Sequence, residues 1–477
     1  MRESFPDVLV LGAGPAGCTA ARLLSRWGYD VTLIARPDAA TGHALAESLT
    51  PSCGKFFDLL GIREAIERAG FVRATGNTVW WGSSSTRVEP FANGAHGWQV
   101  TSTALEQVMR TAATGAGARV EHRVLTPGEA AARPAAFRLD CSGRTGLLAK
   151  SRAGRRMEEG HRTVALAASW RRDDLWPVPD PTHTLIESYA DGWSWSVPLD
   201  EKRRAVAVMV DPRTTTLTRG EGARPTYLAE LAKTTRLRSL LDGAMLEDGP
   251  SGWDASMYTS ATYAGADWLV AGDAASFVDP LSSAGVKKAL ASGWLAAIAV
   301  HTALERPAMA ETALRFFADR EAEMYASFLA LTRRFLREAA AGQGHPFWAE
   351  RADLTERDAL ADRAREERAA VEAAYERLRV APGLRVARGP GVAIEARPAI
   401  AGSEIVLEPR LVTGAEPAGV RFLFDVDIVS LVELAPTAGE VPELYEAYIL
   451  RSGPVDLAAF LTALATAMAR GWLVPRT

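Results

Sequence analysis

The chain has 477 residues, 48% of them hydrophobic, and a formal net charge of −4. This length allows two or three domains with a sizeable buried core, and the near-neutral charge argues against nucleic acid or an anionic membrane surface as a partner. The three cysteines lie far apart, which argues against a metal centre and suits a cytoplasmic protein. The sequence shows no signal-peptide pattern and no run of about 20 apolar residues, so we expect neither secretion nor a membrane span.

The first predicted elements form a βαβ unit. Residues 8–11 are apolar throughout and predict a buried parallel strand, residues 15–27 predict a helix, and residues 31–34 predict a second strand. The loop between the first strand and the helix has the pattern GxGxxG and consists of Gly12, Ala13, Gly14, Pro15, Ala16 and Gly17. Its glycines allow a tight turn, a close approach of a pyrophosphate and close packing of the helix, and the helix N-terminus attracts phosphate. The unit therefore predicts a dinucleotide site.

One position departs from the usual dinucleotide pattern. The second strand normally ends in an acidic residue that binds the adenosine ribose, but this chain has Ala35 followed by Arg36. We expect Arg36 to lie near the adenosine end of the ligand.

A second strand–loop–helix unit lies far along the chain. Residues 268–271 predict a buried strand and residues 286–303 predict a long helix. The loop between them contains the other residues that we expect to bind the ligand, which are Gly272, Asp273, Pro280, Ser283, Gly285 and Val286. Asp273 can accept hydrogen bonds from sugar-alcohol hydroxyls, Gly285 lets the backbone approach a ring, and the dipole of the helix that begins at Val286 favours negative charge.

These two loops, in this order, resemble the two FAD motifs of the flavoprotein monooxygenase superfamily. Residues 137–144 resemble its Asp-x-Ser/Thr-Gly-Arg segment, while residues 46–51 and 191–199 resemble the Gly-Glu-Ser-x-x-Pro and Trp-x-Trp-x-Ile-Pro segments of its tryptophan-halogenase-like branch. The resemblance covers roughly residues 5–340. It implies FAD as the cofactor and an α/β fold: a glutathione-reductase-type Rossmann domain with an inserted antiparallel substrate sheet at about residues 70–100 and 160–265.

Two departures separate this chain from the halogenases of that branch. Those enzymes carry a Lys in the stretch that matches residues 74–81, where this chain has Gly76 and Asn77, and a Glu in the flavin loop, where this chain has Ser282. A chain that resembles this branch but lacks both halogenase groups is expected to catalyse oxygenation instead. A flavin C4a-hydroperoxide, formed with O2, would hydroxylate an aromatic ring. No second GxGxxG is present for a nicotinamide, so the reductant is either NAD(P)H in transient contact or a separate reductase.

The same branch contains flavoproteins that hydroxylate a tryptophan held in a protein, during tryptophylquinone cofactor maturation in quinohaemoprotein amine dehydrogenase biogenesis. This chain resembles that group most, which implies a protein or peptide substrate containing tryptophan. Three alternatives stay open: a monooxygenase of a small aromatic metabolite, a flavin-dependent halogenase, and a non-catalytic flavoprotein that binds a partner.

Few residues are candidates for chemistry. Glu47 could orient the flavin or act as a general acid or base, although a structural Glu is the commoner case. Four tryptophans could line an aromatic pocket by stacking or could belong to the core: Trp80, Trp81, Trp193 and Trp195. The seven histidines are scattered and form no ligand pattern.

The remaining residues predict helices and a small separate domain. An amphipathic helix over residues 311–341 ends the FAD-binding domain, which we place at residues 1–345. Alternating charges predict a solvated helical linker over residues 346–383. Residues 384–477 predict an α+β domain of winged-helix-like type, with two strands, three helices and a terminal strand. Its last helix carries Arg470 as its only basic residue, so we expect a peptide or protein partner rather than DNA.

Overall fold

The computed structural model describes residues 6–37, 46–215, 222–352, 359–381 and 383–476, with side chains from residue 365 onward in α11. It divides into two compact units, Met1–Leu354 and Thr355–Thr477.

The first unit combines helices with four described sheets. Its described strands are β1 (Val8–Leu11), β2 (Val31–Ala35), β3 (Ala46–Leu49), β4 (Val72–Ala74), β5 (Gly76–Trp80), β6 (Arg87–Pro90), β7 (Gly97–Thr101), β8 (Arg119–His122), β9 (Phe137–Asp140), β10 (Arg155–Met157), β11 (Val164–Arg171), β12 (Thr184–Tyr189), β13 (Gly192–Pro198), β14 (Arg203–Val210), β15 (Met245–Asp254), β16 (Tyr258–Ser260), β17 (Ala264–Gly265), β18 (Trp268–Val270) and β19 (Ser276–Phe277). Its described helices are α1 (Pro15–Arg26), α2 (Gly54–Leu60), α3 (Arg63–Arg68), α4 (Ser102–Gly115), α5 (Pro127–Ala132), α6 (Arg224–Leu231), α7 (Arg236–Leu240), α8 (Gly285–Glu305), α9 (Ala310–Gln343) and α10 (Pro346–Ala352).

The Rossmann sheet brings the two predicted ligand loops together. Its strand order is β17-β18-β9-β1-β2-β8, and all neighbours are parallel except β17 and β18. Leu11 pairs with both Ile34 and Asp140, and Asp140 also pairs with Val270. The carboxyl ends of β1, β2, β9 and β18 therefore meet at one edge, where ligands of open α/β sheets bind. This confirms the predicted fold class.

The inserted sheet has the order β15-β11-β14-β13-β12-β5-β6. Its neighbours are antiparallel except β12 and β5, which run parallel. Side chains alternate between the two faces along each strand. One face packs on α6 and α7 through Trp170, Val206 and Tyr227, which are all buried. The other face packs in part on α9 and α10 and in part lines the ligand site.

The segment that we predicted to be a charged linker is instead divided between the two units. In α10, Phe347 and Trp348 are buried in the first unit, where the Trp348 indole donates a hydrogen bond to the Tyr189 carbonyl at 2.9 Å. In α11 (Ala359–Val380), Leu378 is buried in the core of the second unit. The alternating charges of α11 hid its contact because Leu378 is its one buried side chain among the described residues.

The second unit packs helices on short strands. Beside α11 it contains β20 (Val386–Arg388), β21 (Ala393–Ala401), β22 (Glu404–Val412), β23 (Phe422–Leu423), β24 (Val426–Asp427), α12 (Ile428–Leu434), α13 (Val441–Ser452), α14 (Leu457–Ala469) and β25 (Leu473–Pro475). β21 and β22 form a hairpin, and β20 pairs with β25. The predicted strands and helices are present, while the winged-helix type stays a prediction.

No single helix in the described ranges is long and apolar enough to cross a membrane; α13 and α14 meet that test only when joined across a bend of 108°.

A buried ion pair ties α10 to the inserted sheet. Asp211, directly after β14, accepts a hydrogen bond from the Arg351 guanidinium at 2.7 Å, and the two side chains are 1% and 3% exposed. Arg213 also pairs with Asp211 at 2.7 Å, but it is 47% exposed. Although burial opposes the shift, hydrogen bonds from both arginines lower the pKa of Asp211 to about 2.

We expect Arg351→Met to lower the free energy of unfolding by about 3 kcal/mol, because it removes the buried partner of a buried charge. Arg213→Met is the matched control and should cost about 1 kcal/mol or less, since that pair is half exposed. Urea unfolding at pH 7 measures both. Equal losses in the two variants would contradict the assignment.

Candidate functional site

One cavity of about 1450 Å³ connects both ligand loops to the face of the inserted sheet opposite α6 and α7. Both loops contribute lining residues. The sheet lines the cavity through Ala165, Ala167, Ile186, Trp193, Trp195, Ala207 and Met209. The site is therefore one continuous space rather than two separate pockets.

The first loop has the geometry that its glycines predict. Gly12 has φ +109°, and a Cβ atom there would overlap the Cys141 carbonyl. A Cβ atom on Gly17 would overlap the Gly12 carbonyl, so Gly17 serves helix packing and does not line the cavity. At Gly14 a Cβ atom would meet only the Glu106 carboxylate, at 3.9 Å, so the backbone is open to a ligand there. The neighbouring Ala13, Pro15 and Ala16 also line the cavity.

After the second strand the cavity is lined by an arginine instead of the usual carboxylate, and Glu106 of α4 also lines it. Arg36 lines the cavity and donates a hydrogen bond to the Thr145 hydroxyl. Arg110, from α4, and Arg123, after β8, line the same cavity. Their charges suit a pyrophosphate. Sequence reasoning missed Arg110 and Arg123 because neither belongs to a recognisable motif.

The second loop contributes five of its six predicted residues. Asp273, Pro280, Ser283, Gly285 and Val286 line the cavity. Gly272 does not: it has φ +61°, and a Cβ atom there would lie 2.8 Å from the Ala16 Cβ. Its role is to let the second loop pack on the first helix. α8 begins at Gly285, so its N-terminus faces the cavity as predicted.

FAD fits these residues. A Cβ atom on Gly285 would meet no atom within 4 Å, which leaves open space where the backbone is expected to approach the ring. Arginines that suit the phosphates line the cavity, as does Asp273, an acceptor of the kind that the sugar-alcohol chain requires. When bound, FAD would supply the redox chemistry, while these side chains hold it.

Glu47 lies in β3 and lines the cavity between the FAD loops and the sheet. Burial raises the pKa of Glu47 to about 7, and the negative charges of Asp273 and Glu106 act in the same direction. A carboxyl group with this pKa can hold or release a proton near neutral pH. The structure therefore brings the predicted Glu47 to a position where acid–base chemistry is feasible.

Two of the four predicted pocket tryptophans lie elsewhere. Trp193 and Trp195 line the cavity, as predicted, but Trp80 and Trp81 do not. The Trp81 indole is buried behind Trp193, with ring centroids 6.2 Å apart, and donates a hydrogen bond to the Phe335 carbonyl at 2.8 Å. Trp80 packs on the opposite face of the inserted sheet. Neither residue therefore lines the cavity: Trp80 lies on the wrong face of the sheet, and Trp81 is covered by α9 and α10. The sequence shows neither the face nor the covering helices.

A row of small residues leaves space beside Trp195. Trp195 pairs with Ala207 on the next strand, and Ala207 pairs with Ala167 on the strand beyond. All three line the cavity. Neighbouring strands are about 4.8 Å apart, so the two alanines provide a floor about 10 Å wide with no side chain beyond Cβ. We call these three residues the ring slot.

Comparison with known proteins places the chain in a family. The FAD binding domain family matches residues 6–131, and the tryptophan halogenase family matches residues 103–380. The chain belongs to the tryptophan halogenase family. It is thus a flavin-dependent enzyme with FAD as its cofactor, as the sequence predicts.

The individual relatives are similar to this chain at low sequence identity. A tryptophan 2-halogenase from Chondromyces crocatus is 28% identical over 337 residues, which are 66% of this chain and 64% of that protein, just under two thirds of its length. The flavin-dependent halogenase CmlS has a similar structure, with a TM-score of 0.77 and 20% identity over 99% of this chain and 96% of its own. QhpG, a peptidyl tryptophan dihydroxylase essential for tryptophylquinone cofactor biogenesis, has a TM-score of 0.69 and 23% identity over 98% and 99% of the two chains. These likenesses show the fold.

We expect Glu47→Gln to stabilise the FAD-free protein at pH 8 by about 1–3 kcal/mol. The pKa of Glu47 is raised to about 7, so ionisation in the folded state costs free energy that an unfolded chain avoids. The wild type should lose stability relative to the variant as the pH rises from about 4.5 through 7.

Urea unfolding of both proteins at pH 5 and pH 8 tests this. The pH 5 pair is the internal control, since Glu47 is mostly protonated in the folded protein there. A difference between the two proteins that is the same at both pH values would contradict the raised pKa.

Proposed function

We propose that this protein is an FAD-dependent monooxygenase that hydroxylates an aromatic ring, with a tryptophan side chain in a polypeptide as its substrate. The observation that carries the proposal is the ring slot: an aromatic wall and two alanines within the same cavity as the FAD loops.

The slot has the shape and chemistry of an aromatic-ring site. The Trp195 indole offers a face for stacking, and the floor of Ala207 and Ala167 leaves room for a flat bicyclic group. Met209 and Phe277 complete an apolar boundary, which favours exclusion of water from the reacting ring.

The charged groups of the cavity favour hydroxylation over halogenation. Halogenases of this branch carry a Lys and a Glu that this chain lacks. The basic side chains among the described lining residues are all arginines, Arg36, Arg110, Arg123 and Arg144, and no lysine is among them. Ser282 stands where those halogenases have the Glu. Its hydroxyl donates a hydrogen bond to the Asp279 carbonyl at 3.0 Å, and the residue does not line the cavity.

Reduced FAD, formed with NAD(P)H or by a reductase, would supply activated oxygen from O2. Glu47 is the side chain best placed to handle the proton that an aromatic ring loses on hydroxylation. Its side chain lines the same cavity as the FAD loops and the ring slot.

A polypeptide substrate is supported by the likeness to QhpG along nearly the full length of both chains. That protein acts on a peptidyl tryptophan, and the chain also resembles its group in sequence. Maturation of a tryptophylquinone cofactor is the corresponding biological role, with a protein substrate as partner.

Halogenation is the second candidate, because the curated relatives from Chondromyces, Penicillium and Armillaria are halogenases. CmlS also matches the full length of this chain. The same experiment separates the two reactions.

The FAD-loaded protein should be incubated with a reductant, O2 and bromide, together with a tryptophan-containing peptide, free tryptophan or a phenol. We expect mass spectrometry to show the peptide with one or two added oxygen atoms and no bromine. Brominated product would show that another group replaces the missing Lys and Glu. Turnover of free indoles or phenols, but not of the peptide, would show that the substrate is a small aromatic metabolite and not a polypeptide.

We expect Ala207→Leu to lower kcat/KM for an indole substrate by about tenfold or more relative to a phenol, because the added side chain fills the floor beside Trp195. FAD affinity should stay unchanged. Val206→Leu is the matched control: it overpacks the same strand on the opposite face, at a stability cost of about 1–3 kcal/mol, without entering the slot. An equal change in substrate preference in both variants would show that the ring slot does not select the substrate.

A further inference from the structure

A buried lysine holds the second FAD loop from behind. The Lys288 ammonium, on α8, donates hydrogen bonds to the carbonyls of Gly272 at 2.9 Å and Ser276 at 2.6 Å. These two carbonyls flank Asp273. Lys288 is 1% exposed and does not line the cavity. It thus contacts the loop and not the cofactor.

The same short segment is fixed by other side chains. The Tyr258 hydroxyl donates to the Asp273 carbonyl at 2.6 Å, and the Ser260 hydroxyl donates to the Ala275 carbonyl at 2.7 Å. The Ser292 hydroxyl accepts a hydrogen bond from the Gly272 amide at 2.7 Å. Residues 272–276 are therefore held in one conformation by α8 and β16.

Lys288 differs from these partners by its charge. A buried ammonium costs free energy unless it is hydrogen-bonded and faces opposite charge. Two acidic groups face it: Asp273, which lines the cavity, and Glu321, from α9, which is fully buried. Burial raises the pKa of both groups, and the Lys288 charge opposes both rises.

We propose that Lys288 is a positioning residue for FAD: its buried ammonium fixes residues 272–276 so that Asp273 faces the cofactor, and Glu321 balances its charge. This inference rests on FAD binding and not on the hydroxylation proposed above, so either can fail without the other.

The charges around Asp273 come from several elements. Burial raises the pKa of Asp273, while Lys288 on α8, Arg144 after β9 and Arg155 on β10 oppose that rise. The negative charge of Asp273 in turn raises the pKa of Glu47 on β3. Removing the ammonium should therefore raise the pKa of Asp273 further. Because a protonated carboxyl group is a weaker acceptor, FAD affinity should then fall as the pH is lowered.

The test is FAD affinity, measured by quenching of FAD fluorescence on titration with FAD-free protein at pH 6 and pH 8. We expect Lys288→Met to weaken binding by about tenfold at pH 8 and by about a further threefold or more at pH 6. Lys288→Arg should recover part of the loss. Ser260→Ala is the matched control, since it removes a neutral hydrogen bond to the same segment. It should weaken binding by less than about threefold, equally at both pH values.

Two results would overturn the proposal: wild-type FAD affinity in Lys288→Met at both pH values, or a loss in Ser260→Ala of the same size and pH dependence. If Lys288→Met does not fold, the double variant Lys288→Met with Glu321→Gln removes both buried charges and takes its place. Weak, pH-dependent FAD binding by the folded double variant supports the proposal, and wild-type binding overturns it.

Discussion

The close packing of three glycines around the start of α1 is the constraint on which the FAD site depends. Gly17 meets the backbone of Gly12, Gly272 meets the side chain of Ala16, and Gly293 of α8 meets the backbone of Ala16, at distances that leave no room for a Cβ atom. The helix that faces the phosphates is therefore in direct contact with both the first loop and the segment that carries Asp273. Two loops far apart in the chain become one binding site because this contact permits no larger residue.

The burial of that site shifts the pKa values of its carboxyl groups. Burial raises the pKa of both Glu47 and Asp273, and the charge of Asp273 adds to the rise for Glu47. Lys288 and Arg144 offset this on the side of Asp273, which suits an acceptor for cofactor hydroxyls. Glu47 has no comparable cation among the groups that shift its pKa, which suits a proton-handling group. Two carboxylates of one cavity thus acquire different roles from their neighbours.

The fold does not decide the chemistry. CmlS and QhpG, a halogenase and a dihydroxylase, both match this chain over nearly its full length, so the difference between the reactions lies in side chains on a shared framework. In this chain the proposed reaction rests on the arginines of the cavity, the Ser at the flavin loop and the ring slot. The ring slot lies on three paired strands, which hold its side chains in place.

The sequence by itself determined the two glycine loops, the strands and helices beside them and the cofactor, because these depend on local patterns: glycines in fixed register, apolar runs and helical periodicity. It also indicated Glu47, Trp193 and Trp195. Only the tertiary structure decided that Trp81 supports Trp193 from behind, that Arg110 and Arg123 line the cavity, that α10 packs into the first unit, and that Lys288 faces Glu321. Each of these depends on which residues of distant segments meet, and a buried lysine or an alanine floor has no local pattern that distinguishes it from any other helix or strand residue.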